Sequence, residues 1–188
     1  EGEGPFKLIL EGGFVECRSL VVATGGLSIP KIGATDFGYR IARQYGIKVT
    51  ELRPALVPFT LSQETFPKFR ELAGTSLDAL VTCGEKSFRE NILFTHWGLS
   101  GPAILQASLY WDPGEPVSLN LLPELEAVPW LLDLKTSEPK ATLGSVLKRH
   151  LPTRFVESFI ETVLKSESRP LGERSNKQLT QFGEILNG

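Results

Sequence analysis

Residues 20–46 read LVVATGGLSIPKIGATDFGYRIARQYG. Leu20, Val21 and Val22 form a short apolar, β-branched run, the pattern of a strand buried on both faces. Ala23, Thr24, Gly25 and Gly26 interrupt it with small residues. A loop holding Pro30 and Gly33 leads into 37–45, where the pattern predicts a helix with Thr35 as N-cap and Gly46 as C-terminal stop. In an open α/β sheet, ligands sit beyond the C-terminal ends of the strands. Small residues there let the backbone approach a flat or charged ligand closely. The same spacing also fits a tight turn that binds nothing, because Thr-Gly-Gly after a strand is a short motif.

Upstream, 6–10 and 14–19 flank Glu11-Gly12-Gly13, which predicts a β-hairpin. Downstream, 48–51 reads as a short strand. From Pro54 the pattern becomes antiparallel β. The stretch 55–61 contains Pro58, which favours an edge strand or a bulge. Residues 63–73 are mixed, with room for one helical turn. The stretch 77–83 alternates, Gly84-Glu85-Lys86 turns it back into 87–93, and 117–122 gives a further strand. Such spacing suggests a small barrel or curled sheet. Between these strands, 100–110 predicts a helix capped by Ser100 with Pro102 in its first turn. After Pro123 the pattern is helical: a helix from Pro129, then 141–151, 152–164 and 175–186.

Four stretches together carry a family resemblance: ATGGLSIPKIGATDFGYRIA, PALVPF at 54–59, VTCGEKSFRE at 81–90 and FTHWGLSGPAILQAS at 94–108. They resemble the bacterial flavoproteins called HI0933-like or BaiN-like, which are expected to be FAD-dependent oxidoreductases. The resemblance spans nearly the whole chain and weakens after about residue 123. It implies a mixed α+β chain in three parts. These are a partial Rossmann-like FAD-binding edge at 1–53, an inserted antiparallel β-barrel subdomain with one helix at 54–123, and a small all-helical subdomain at 124–188. It also implies that Thr24, Gly25 and Gly26 lie against FAD, with Thr35 and Gly38 at the start of the following helix. NAD(P)H would be the electron donor, and reduction of a carbon–carbon double bond is a candidate reaction. No catalytic acid or base is assigned, and the substrate stays open. The Gly-x-Gly-x-x-Gly segment that takes the FAD diphosphate in the family is absent from this sequence. So is the family's glycine-rich C-terminal return segment. Phe37 stands where the wider flavoprotein class often has Asp, so no ribose contact is assigned to Asp36.

The Thr95-His96-Trp97-Gly98-Leu99-Ser100 stretch is the second that could carry chemistry. His96 or Ser100 could contact a flavin or a substrate carbonyl at a helix N-terminus. Equally, Ser100 could serve only as a cap, with His96 a hydrogen-bonded structural residue. His150, ending a helical run, reads as a surface residue or a helix C-terminal charge partner.

Composition sets the outer limits. The chain has 188 residues, 41% hydrophobic and 22% charged, with a net charge of −2. These values fit a globular chain and favour neither nucleic acid nor an anionic membrane as partner. Residues 124–188 carry nine basic and nine acidic side chains, which offers no cationic face for phosphates. The two cysteines show no metal spacing and no disulfide framework, so no metal site and a cytoplasmic, reducing location are expected. There is no signal peptide and no apolar run of about 18 residues. The sequence has no Met and opens in mid-pattern, so an excised piece of a longer protein is expected.

Two functions follow. In the first, the chain is the middle of a flavin-dependent oxidoreductase, supplying one edge of the FAD site and a cap over the flavin. In the second, the barrel and helices form a non-catalytic module that docks a partner. Without the diphosphate loop, this piece alone is expected to bind FAD weakly or not at all and to be inactive.

Overall fold

The computed structural model describes residues 5–62 and 66–188. Its contacts divide the chain into two compact units, Glu1–Pro54 and Ala55–Gly188.

In the first unit, strands β1 (Phe6–Leu10) and β2 (Gly13–Cys17) form the expected antiparallel hairpin, in register from Phe6 opposite Cys17 to Leu10 opposite Gly13. Gly12 turns it with φ +93°, a conformation that costs glycine little. Helix α1 (Phe37–Gln44) follows. Its end is a Schellman turn: Ile47 N donates to Ala42 O and Gly46 N to Arg43 O, with Gly46 at φ +70°. Two expectations fail here. Residues 20–23 form no ladder, and Val21 is 85% exposed. A strand buried on both faces needs neighbouring strands to bond, and no described strand of this unit pairs with 20–23. The stretch 48–51 likewise forms no strand. No described residue of this unit is fully buried.

The second unit is built on a five-stranded antiparallel sheet in the order β3 (Phe59–Thr60), β6 (Gly98–Ser100), β5 (Lys86–Phe94), β4 (Ser76–Cys83) and β7 (Val117–Asn120). This is the curled sheet that the sequence predicts. The two-residue β3 stands at one edge next to Pro58, where the missing N–H costs no ladder bond. Strand β4 alternates strictly, burying Leu77, Ala79, Val81 and Cys83 on one face. Helix α3 (Pro102–Ala107) lays Ala103, Ile104 and Ala107 into the core.

Part of the expected helix at 63–73 lies outside the described residues; what is described is α2 (Phe66–Phe69) and a 3₁₀ turn over Arg70–Leu72. The helical end of the unit has α4 (Ala127–Ser137), α5 (Leu143–Leu147), α6 (Thr153–Phe159) and α7 (Asn176–Asn187). Helix α6 runs on as a π-helical turn over Ile160–Leu164, which Lys165 ends at φ +45°. Helix α4 starts two residues before Pro129, which still falls in the first turn, where a missing N–H is harmless. Sheet and helices share one hydrophobic core running from Leu72 to Leu186, so the segments expected as 54–123 and 124–188 lie in the same compact unit. Each fully buried Leu, Ile or Phe there contributes about 1.5–3 kcal/mol of transfer free energy.

Asn187 closes this unit. Its Oδ1 accepts from Ala127 N at 2.7 Å, capping α4 from a distant point in the sequence. Its Nδ2 donates to Asn120 Oδ1 and Leu125 O, both at 3.0 Å. Beside it, Leu121 N donates to Leu186 O, which ties the end of α7 to the sheet. Arg174 is buried as well, 5% exposed, with Phe182 under its guanidinium and the Glu167 carbonyl accepting from one amino group. Burial, followed by the neighbouring Arg169, pulls its pKa below the ordinary arginine value.

Candidate functional site

The small residues of the first unit come from the turn after 20–23 and from the first turn of α1. Gly25 has φ +72°, and a Cβ built there would meet nothing within 4 Å. The backbone at this point is therefore left-handed and open on its side-chain face. Gly38 lies against the same stretch: a Cβ there would sit 3.3 Å from Thr24 Oγ1 and 3.6 Å from Val22 Cγ1. At Gly26 a Cβ would come 2.9 Å from the Tyr39 hydroxyl. The fold thus brings Thr24, Gly25, Gly26 and Gly38 to one place. Thr35 acts locally, its Oγ1 accepting from Phe37 N at 3.4 Å. Asp36, not Thr35, occupies the N-cap position of α1, and it pairs with Arg40 at 3.1 Å. These residues fit the backbone approach of a flat group at Gly25, whereas nothing in the sequence provides a Gly-x-Gly-x-x-Gly cradle for a diphosphate.

The second stretch forms the turn between β5 and β6. Thr95 Oγ1 accepts from both Trp97 N (3.3 Å) and Gly98 N (3.2 Å), and Thr95 N donates to Gly98 O at 2.8 Å. Leu61 N donates to Trp97 O at 3.1 Å. Gly98 is pressed against the neighbouring edge strand, where a Cβ would come 2.2 Å from Phe59 O. Gly101 is equally tight, 2.6 Å from Asn91 O. The backbone is therefore fixed while the His96 and Trp97 side chains stay exposed. Ser100 does not cap α3. It pairs with Leu93 within β6, and Gly101 takes the N-cap position without a side-chain bond. The reason is the third strand residue: extending the sheet to Ser100 gains ladder bonds that a cap would forgo. At three residues this strand is too short for any alternation to be read.

His150 is exposed, with its ring edge-on to Trp130 at 5.3 Å. It lines a cleft of about 270 Å³ together with Asp78, Arg89, Glu124 and the 121–125 backbone turn. Arg89 bonds both Asp78 (2.9 Å) and Glu124 (2.8 Å), and these two carboxylates push its pKa further up. The charges in this cleft are mutually satisfied. Among the described residues there is no cluster of three or more His, Cys, Asp or Glu arranged to hold a metal ion. No helix among them is long and apolar enough to cross a membrane.

A half-barrel of antiparallel strands closed by a helical bundle on a shared core defines a mixed α+β class of barrel-and-helix domains. The chain belongs to the HI0933-like family: residues 53–188 match the HI0933-like protein barrel and H2TH domain. Among curated proteins it is 48% identical over 156 residues to the ribosomal RNA dihydrouridine synthase of Escherichia coli, covering 82% of this chain and 39% of that protein. It is 49% identical over 148 residues to the protein of the same name from Haemophilus influenzae, covering 78% of this chain and 36% of that one. A more distant relative, the 3-dehydro-bile acid delta(4,6)-reductase of Clostridium scindens, is 30% identical over 182 residues, covering 89% of this chain and 44% of the relative. The chain thus spans less than half the length of these curated relatives.

Proposed function

We propose that this chain is the central part of a flavin-dependent reductase that saturates a carbon–carbon double bond, and that its substrate is uridine within ribosomal RNA. The observation that carries this is the agreement among relatives. Two at 48% and 49% identity are named for making dihydrouridine in ribosomal RNA, and one at 30% is named as a reductase at the delta(4,6) positions of a bile acid. Both names describe adding hydrogen across C=C bonds. The RNA reading departs from the sequence expectation of no nucleic-acid partner, which rested on the net charge of −2 and the balanced charge of 124–188; it relies instead on recognition of an unstacked base, which net charge does not decide.

Thr24, Gly25, Gly26 and Gly38 would hold one edge of FAD, with the open left-handed backbone at Gly25 as the point of closest approach. The bound flavin supplies hydride transfer, with NAD(P)H as the source of electrons. What these residues contribute is position: small side chains that admit the cofactor and a helix start, with Gly38 packed on Thr24, that keeps the turn in shape. The half-barrel unit serves as the cap that excludes water and receives the substrate.

The test uses the full-length protein purified without added cofactor. A flavin absorbance between roughly 300 and 550 nm is expected, bleached by NAD(P)H and restored by uridine-containing ribosomal RNA, with a gain of two hydrogens on the nucleoside. In a folded Gly25→Val variant the flavin signal should fall, because the new side chain fills the open face and strains a positive φ. A colourless protein that cannot be loaded with FAD would overturn the proposal and leave the interaction-module reading in its place.

A further inference from the structure

Trp97 is 78% exposed, although the backbone of the turn that carries it is held by several hydrogen bonds. Thr95 Oγ1 holds the N–H groups of Trp97 and Gly98, Leu61 N holds the Trp97 carbonyl, and the Gly98 backbone is wedged against Phe59 O. The other two tryptophans behave differently. Trp111 packs on Phe59 at 5.2 Å and Trp130 on His150 at 5.3 Å. A single exposed apolar residue on a loose loop would need no explanation. A large flat ring carried on a fixed backbone is presented without the loop-ordering cost that binding would otherwise carry.

Resting on the reading of the substrate as uridine in RNA, we propose that Trp97 is a stacking platform for a nucleobase of that RNA. Chemistry on a base inside folded RNA requires the base to leave its stack, and the faces so exposed need a new partner. An aromatic side chain offers one without regard to sequence. Trp97 is thus a substrate-positioning residue, acting on the base and not on the phosphates.

The experiment uses the full-length protein with its flavin and two probes of equal length, an oligouridine and the corresponding abasic oligomer, which keeps the phosphates and lacks the bases. Trp97→Ala should weaken oligouridine binding about tenfold and leave abasic binding unchanged. Trp97→Phe should recover most of the loss, and Trp97→Leu, apolar but not flat, should not. With ribosomal RNA as substrate the Trp97→Ala effect should fall on KM and spare flavin reduction by NAD(P)H. Equal weakening of both probes, no weakening of either, or loss of flavin absorbance in the alanine variant would each overturn the proposal; the last would show that the ring packs within the protein itself. A wild-type protein that binds neither probe and reduces no uridine would sink the RNA reading and this inference together. A wild-type protein that acts on RNA equally well with Trp97→Ala would sink this inference alone.

Discussion

Asn187 shows how one side chain can join elements that are remote in sequence. It bonds Ala127 N, Asn120 Oδ1 and Leu125 O, so its loss strands partly buried groups on three segments at once. Asn187→Ala should therefore destabilise the protein by about 2 kcal/mol, more than a single exposed hydrogen bond would. The check is a urea titration: a lower midpoint with an unchanged slope is expected, and an unchanged midpoint would mean that water replaces the amide without loss. Nothing in the sequence marks this residue. An Asn followed by Gly188 reads as a helix end, and its partners lie about sixty residues away. The glycines of the 24–38 cluster were legible because small residues in a row stand out, and the structure gathers Thr24, Gly25, Gly26 and Gly38. Thr35, read as the cap of this helix, does accept from Phe37 N, while Asp36 holds the N-cap position without a side-chain cap bond.

The presence of helices after Pro123 was readable from their periodicity, whereas their caps were not singled out in the sequence. Thr142 caps α5, with Ser145 bonding back, and Ser175 caps α7, with Gln178 bonding back. Replacing either cap with alanine should cost about 1 kcal/mol, seen as a lower melting temperature, with serine at 142 restoring most of it. Between α4 and the turn after α5, Glu138 takes a two-pronged contact from Arg149, at 2.8 Å for one prong. Hydrogen bonding from Arg149 holds the Glu138 carboxyl below its ordinary value of 4.5. A depressed folded-state pKa means that the contribution is present above the ordinary value and fades as pH falls through the lowered one. Glu138→Gln should therefore narrow the difference in urea midpoint between neutral pH and pH below 4.5, and identical acid limbs in both proteins would refute the role. The 20–23 stretch and β6 were misread for opposite reasons. The first has strand composition but no strand beside it. The second is three residues long, and only its neighbours β3 and β5 make it a strand.

The whole molecule divides its stability unevenly. Among the described residues the buried core lies between Leu72 and Leu186, and those before Ala55 bury nothing completely. Burial drives cooperative stability, so limited proteolysis should remove the first unit and leave 55–188 as a resistant species with an unchanged melting temperature. Cleavage that destroys both together would show that the units fold as one. In the sequence the pattern changes at Pro54 from mixed to antiparallel strands. That the half-barrel and the helices share one core was not visible, because α7 returns to pack on α4 and on β7 from the far end of the chain. This return sets a timetable. On a ribosome the sheet is made first, yet the N-terminus of α4 and the edge beyond β7 wait for Leu186 and Asn187 to arrive. Until then the nascent protein carries an open apolar face, so slow translation near residue 186 or a chaperone bound to that face would govern its yield more than the strength of any finished contact.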